Sequence, residues 1–268
     1  MVHAIDSRRS RANRVSIAAI LFVLAISHAA AASADVPVDP GTYLSVGPGI
    51  YLQPTYPGAS GTRGFFLPYI DAEYHDWLYS NAADLLGVYA YKTPTTQMGA
   101  AIQYDFTERL NKDDARFRFL RDVRATPRIK LFASHTIGLL TGDVNVATDV
   151  AGRDQGTLAQ ANLSLAIPFV PKFFFSVGPG LTWANSTYMQ SFFGITPGQS
   201  LVSQLPAYDA RAGIVDLHIN ALANYTISKR WSLGTTTYWA RLHGDADGSP
   251  ITQRRSQLTV IAFLAYTF

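Results

Sequence analysis

Asp216 and His218 are the residues in this 268-residue chain whose types and spacing come closest to acid–base chemistry. With Asn220 and Asn224 they alternate with Leu217, Ile219, Ala221 and Ala223 in the segment from Val215 to Ile227. In an extended segment every second residue shares a face. A carboxylate, an imidazole and an amide would therefore stand side by side, the acid–base half of a hydrolase that would still need a nucleophile. Neither G-x-S-x-G nor H-E-x-x-H occurs around them, and the other histidines beyond residue 34 are the scattered His75, His135 and His243. The competing reading is a polar wall whose groups only hydrogen-bond one another, and it is the better supported. The chain has no cysteine, which excludes thiolate metal sites and a disulfide-stapled secreted domain. No catalytic, cofactor or metal-binding set is expected.

The row around His218 points to the element that must carry it. Val215, Leu217, Ile219, Ala221, Ala223, Tyr225 and Ile227 occupy the odd positions and mostly polar residues the even ones. A one-residue slip would turn the whole row over, so the register is set. The same period recurs in 97–106, 159–167 and 173–183. His135 falls by alternation on the apolar row of Ile129, Leu131 and Ala133.

Soluble sandwich strands usually run about five or six residues, whereas several segments here alternate for about ten or more, as a tilted membrane-crossing strand requires. Trp231 and Trp239, like Phe173 and Trp183, stand near opposite ends of such segments, the spacing of aromatic girdles at two interfaces. Twelve strands are predicted, at 43–53, 63–73, 76–81, 84–91, 97–106, 127–137, 141–149, 156–167, 172–184, 213–227, 229–242 and 256–268, with ten as the alternative. Their connections alternate between long and short, the link 81–84 being the exception. The fold class is therefore all-β: a transmembrane antiparallel up-and-down barrel with long extracellular loops and short periplasmic turns.

The first 34 residues combine Arg8, Arg9, Arg11 and Arg14 with the apolar run Val15–Ile26 and the small-residue site Ala32-Ser33-Ala34. That is the pattern of a cleavable secretory signal, and the run is shorter than the roughly 20 residues of a spanning helix. Residues 35–268 then form a single barrel domain. The signal holds four of the 22 basic residues and one of the 19 acidic ones, which leaves 18 of each. Binding to nucleic acid, which needs a basic surface, loses its compositional support.

Two outer loops carry further signals. Residues 108–130 hold Arg109, Lys112, Arg116, Arg118, Arg121, Arg124, Arg128 and Lys130 among Glu108, Asp113, Asp114 and Asp122. This cluster would lie at the outer surface or fold into the lumen mouth, where Arg116, Arg118, Arg121 and Arg124 could pair with lipopolysaccharide phosphates. A solvated loop with internal ion pairs is the competing reading. The loop at 185–212 carries Tyr188, Met189, Gln190, Phe192, Phe193 and Gly194. Such apolar bulk is costly on an exposed loop, so it predicts an inward plug or else a contact surface, the plug being preferred.

The stretch "VGPGLTWANSTYMQSFFGITPGQ" from Val177 to Gln199, with "LPAYDARAG" at 205–213, resembles the long loop and flanking strands of the MipA/OmpV family of outer-membrane proteins. Tyr56-Pro57-Gly58-Ala59-Ser60 and Ser249-Pro250-Ile251 resemble that family's first-loop and last-loop motifs. Asn185 departs from the acidic residue expected after "TWA". The resemblance covers roughly 43–268 and implies a barrel in the outer membrane of a Gram-negative bacterium, surrounded by outer-membrane lipids and lipopolysaccharide. It further implies a non-enzymatic scaffold or structural protein whose partners are a murein hydrolase and a murein synthase. Other relatives are described as porin-like or osmotically responsive, and a small-solute channel is the alternative.

The closing segment "TVIAFLAYTF" alternates in the same way, with Val260, Ala262, Leu264, Tyr266 and Phe268 facing lipid and Ile261, Phe263 and Ala265 facing inward. Pairing with the first strand would remove the open edge that hydrocarbon cannot solvate. Tyr266 and Phe268 resemble the terminal signal read by the barrel-assembly machinery.

Overall fold

A computed structural model describes residues 41–268; the predicted signal, 1–34, and residues 35–40 lie outside the described residues. Twelve strands form one closed antiparallel barrel in which each pairs with its neighbours in sequence and the last pairs with the first. In chain order they are β1 (Tyr43–Pro54), β2 (Thr62–Tyr74), β3 (Leu78–Ser80), β4 (Leu86–Lys92), β5 (Thr96–Asp105) and β6 (Thr126–Ile137). The second half comprises β7 (Leu140–Asp149), β8 (Thr157–Val170), β9 (Phe173–Ala184), β10 (Gly213–Thr226), β11 (Trp231–Leu242) and β12 (Ser256–Thr267). Closure runs from Leu52 opposite Val260 to Ser45 opposite Thr267, so the first and last strands leave no free edge toward each other in the hydrocarbon, while β2 meets the short β3 only over Ala72–Tyr74. Twelve strands, not ten, is the count.

Alternation chooses the faces. On β12, Ile261, Phe263 and Ala265 are buried, while Leu258 between them and the outer end is half exposed. On β10, Leu217 and Ile219 face outward and His218 is buried. Trp183, Trp231 and Trp239 lie on the outward surface near strand ends, as girdle residues do.

The outer links are 55–61, 81–85, 106–125, 150–156, 185–212 and 243–255, and the inner links are 75–77, 93–95, 138–139, 171–172 and 227–230. The predicted asymmetry holds, and the expected exception is the shortest outer link but still longer than each inner one. At 81–85 the Asn81 side chain accepts from the N–H groups of both Ala83 and Asp84 at 2.7 Å. That closes the turn early and leaves β3 only three residues long, shorter than the predicted 76–81.

One register expectation is corrected. A bulge between Ile214 and Asp216 interrupts the pairing of β10 with β9. The extra residue reverses the parity above it, so Val215 is buried beside Asp216 rather than on the lipid-facing row.

An aromatic layer lines the lumen along β12, β1 and β2. Phe263 stacks on Tyr69 with ring centroids 3.8 Å apart, and Tyr51 stacks on Phe65 at 6.1 Å. These rings pack with Ile261, Ala265 and Leu67, and the Tyr69 hydroxyl donates to Asp71 at 3.1 Å. The polar groups of the lumen wall are thus joined by large rings.

Candidate functional site: the capped lumen

In β9, Gly178-Pro179-Gly180 has both glycines on the inward row and Pro179 outward. A Cβ on Gly180 would lie 2.2 Å from His218 Nε2 and 2.3 Å from Asn162 Oδ1. The missing side chain thus opens the path by which His218 on β10 reaches across β9 to β8. His218 Nε2 lies 2.7 Å from Asn162 Oδ1, and its Nδ1 lies 2.8 Å from Asp216 Oδ1 and 2.9 Å from the Tyr238 hydroxyl. The Tyr238 hydroxyl donates to Asp216 at 2.7 Å. Asn162 is oriented by donating to Asp143 at 2.9 Å, and Asn220 donates to Asn162 Oδ1 at 3.0 Å. Asn224 continues the row half-buried toward the inner end.

Asp216, His218 and Asn220 are therefore brought together as alternation predicted. Tyr238 was missed, although it stands on β11 directly opposite Asn220. The Thr182 hydroxyl reaches Asp216 (3.3 Å) and Tyr238 (3.2 Å). Among the described residues no serine or threonine hydroxyl is hydrogen-bonded to the ring, and the hydroxyl that reaches it, that of Tyr238, is held by Asp216.

Outward of this cluster the lumen holds two buried ion pairs. Arg128, with no solvent exposure, donates to Asp105 at 2.8 Å, to Gln155 Oε1 at 2.7 Å and to the Gly156 carbonyl at 2.9 Å. Lys130 lies 2.6 Å from Asp84, and both are buried. Of the two places expected for the cluster at 108–130, these residues and Arg109 take the lumen mouth. Position decides this: 128 and 130 fall on the inward row of β6, and Arg109 pairs through its backbone with Val123. The Arg109 guanidinium donates to the Ser191 carbonyl at 2.9 Å and lies over the Phe117 ring. Burial pushes it down to about 10, so it stays cationic at neutral pH.

Above these pairs sits the loop 185–212. Asn185 caps α1 (Ser186–Phe193): its side-chain oxygen accepts from Tyr188 N–H at 3.1 Å and from Thr157 N–H at 3.0 Å. A neutral amide thus does the capping at the position where an acid was expected. Tyr188, Met189, Phe192 and Phe193 are buried against Val123, Ala210, Val215, Leu242 and Ala246. Gln190 turns back to accept from Ala210 N–H at 3.1 Å, and the Gly194 N–H closes the helix on the Gln190 carbonyl at 3.0 Å. Beyond it α2 (Pro197–Ser203) begins in a capping box made by Thr196 and Gln199. A second buried cluster joins Tyr56, Phe117, Leu120, Ile195 and Ile251. It ties four of the outer links into one cap. The short α3 (Gly244–Gly248) contributes Ala246 to the first cluster.

The predicted surface arginines remain outside. Arg116 pairs with Asp114 at 2.8 Å and donates to the Pro250 carbonyl at 3.2 Å. Its side-chain hydrogen bond holds the Asp114 carboxyl below the usual carboxylate range. Arg121 meets Asp154, Arg124 lies 3.7 Å from Asp122, and Arg118 lies over the Phe119 ring. Much of this loop's charge is thus matched internally. His135, on the lipid-facing surface near the inner end, bonds Thr96 at 2.8 Å. The Phe268 N–H donates to the Leu44 carbonyl at 3.0 Å, and its exposed ring meets Tyr266 edge-on.

Between cap and ion pairs remains a cavity of about 190 Å³, roofed by Tyr188 and walled by Tyr51, Gln103, Gln160 and Asp216 among others. A smaller one of about 50 Å³ lies beyond Lys130, beside Asp84 and Asp143.

The family described as "MltA-interacting protein MipA" matches residues 46–268. Outer membrane protein OmpV of Vibrio cholerae is 25% identical over 195 residues, 71% of this chain and 69% of that protein. Outer membrane protein Omp26La of Vibrio anguillarum is 30% identical over 89 residues, 33% of this chain; the match spans only 34% of its length. Among solved structures, an outer-membrane channel from Pseudomonas putida F1 superposes with a TM-score of 0.45 at 15% identity, covering 87% of this chain and 97% of that one.

Proposed function

We propose, on the premise that the chain belongs to the MipA family and resides in the outer membrane, that it is a barrel closed to bulk solute flow which serves as a structural anchor for the murein machinery, without performing covalent chemistry itself. The observation that carries the closed-barrel part is the cap: four large side chains of α1 are buried across the outer mouth. Below it the lumen is occupied by the Arg128 and Lys130 ion pairs and by the Tyr69–Phe263 stack. Side chains alone can obstruct a lumen of this size. The anchor part is supported by the family's description as interacting with MltA. Murein hydrolase and synthase are the proposed partners, met at the inner turns and at residues 35–42. Lipopolysaccharide is proposed to meet the exposed faces of Arg118, Arg121 and Arg124.

A non-enzymatic role is supported by the His218 ring, both of whose nitrogens are hydrogen-bonded within the wall. The second reading, a small-solute channel, is favoured by the 190 Å³ cavity inside the lumen.

Planar-bilayer recording of the purified barrel separates the two. The intact protein is expected to give no stable channel, and deletion of residues 186–210 to give one of small conductance. Stable large channels from the intact protein would overturn closure in favour of the porin reading. Affinity capture from solubilised membranes is expected to retain a murein hydrolase. Its absence from captures with the intact barrel removes the anchor reading.

A further inference from the structure

We propose that the cavity beneath α1 is a binding site for a small, neutral, polyhydroxylated solute of about monosaccharide size. At about 190 Å³ it falls below the roughly 300–1,000 Å³ of pockets that hold drug-sized ligands, which limits the occupant to a small molecule.

Charge selects neutrality. The wall carries two cations, Lys130 and Arg63, and two carboxylates, Asp105 and Asp216; Lys130 pairs with Asp84 at 2.6 Å, Arg63 with Glu108 at 2.6 Å and Asp105 with Arg128 at 2.8 Å, and Asp216 accepts from the Tyr238 hydroxyl at 2.7 Å. An ionic solute would bring an unmatched charge into a site already balanced, which is strongly unfavourable.

The remaining polar groups select hydroxyls. The Gln103 side chain is 7% exposed, lines the cavity, and has no hydrogen-bond partner among the described residues. Its donors and acceptor face the cavity and are available to an occupant. Asn145 donates to Gln160 at 3.3 Å and Gln160 to Thr182 at 3.4 Å. Both bonds are at the long limit and can be exchanged for shorter ones. A primary amide offers donors and an acceptor together, which suits a hydroxyl, itself both. Tyr51 and Tyr188 add aromatic surface on the wall and roof, against which the C–H face of a sugar ring can pack.

The inference rests on the barrel and its cap and does not depend on any murein partner. Isothermal titration of the refolded protein in detergent with glucose and myo-inositol, against glucuronate and glucosamine, tests it. Saturable binding of at least one neutral polyol is expected, tighter than that of either charged sugar. Gln103→Leu should weaken it by about tenfold, and Ala147→Leu, which fills the cavity and leaves every amide in place, should abolish it. Both variants should keep the heat-modifiable mobility of the folded barrel. Absence of saturable binding, preference for a charged sugar, or wild-type affinity in the correctly folded Ala147→Leu protein would overturn the proposal, while leaving the conductance and capture experiments unaffected.

Discussion

Replacing Arg128 with methionine is expected to lower the stability of the barrel by about 3–5 kcal/mol, the cost of leaving one member of a buried pair uncompensated. Arg128 is without solvent exposure, and its guanidinium holds Asp105, Gln155 and the Gly156 carbonyl together. Gln155 in turn donates to the Thr107 and Arg124 carbonyls at 2.8 and 2.7 Å, so one side chain joins β5, β6 and two outer links. Methionine keeps the length and removes every donor, and Asp105 stays behind as a buried charge. Urea unfolding of the refolded protein, followed by the heat-modifiable band, reads the change. The double variant Asp105→Leu/Arg128→Met should recover most of the loss, because removing both charges also removes their desolvation cost. A single-variant loss below about 1 kcal/mol, the level of an exposed pair, would show that water reaches the site.

Gly178→Val is expected to abolish the folded barrel. A Cβ at position 178 would sit 1.7 Å from the Leu163 carbonyl oxygen and 3.0 Å from Ser164 Cα. Both atoms belong to the backbone of β8, so no side-chain rotation relieves the clash. Pro179 beside it brings no N–H to the ladder, and the paired residues of β8 and β9 skip from Asn162–Gly180 to Leu165–Val177. The strands are thus already held by fewer bonds where the clash would arise. The same Val-Gly-Pro-Gly occurs at 46–49 in β1, where a Cβ on Gly47 would lie 1.7 Å from the Leu264 carbonyl oxygen. Gly198→Ala, in open space on α2, should fold as the wild type does. The fraction of heat-modifiable protein after refolding distinguishes them, and a wild-type fraction for Gly178→Val would refute the close approach.

The barrel was legible because a strand in this setting has one face in lipid and one in the lumen, and the period-two contrast is written residue by residue. The Asp216–His218–Asn220 row followed from the same rule. Val215 did not, since one inserted residue above Asp216 reverses parity locally and leaves no mark in a pattern whose residue there is apolar on either reading. The outer loops were harder. Their composition told that Tyr188, Met189, Phe192 and Phe193 need burial, and the cap's clusters supply it. It could not separate Arg109 from the arginines that stay outside, because a basic residue within a loop looks alike whether the loop carries it inward or leaves it in solvent; Arg128 and Lys130 lie within the predicted strand 127–137, where alternation places them on the face opposite Ile129 and Leu131.

By itself, then, the amino-acid order determined which face of most strands meets lipid and which loops are long, and favoured twelve strands over ten. Those are local properties, set by alternation and by the distance between turns. Which groups meet along the lumen wall was decided only by the tertiary structure: Arg128 with Asp105 on the neighbouring strand, His218 with Asn162 through the gap at Gly180, and Gln103 at the cavity wall without a hydrogen-bond partner among the described residues. These pairings depend on the stagger between neighbouring strands and on how four loops share one mouth, and neither is encoded in any single segment.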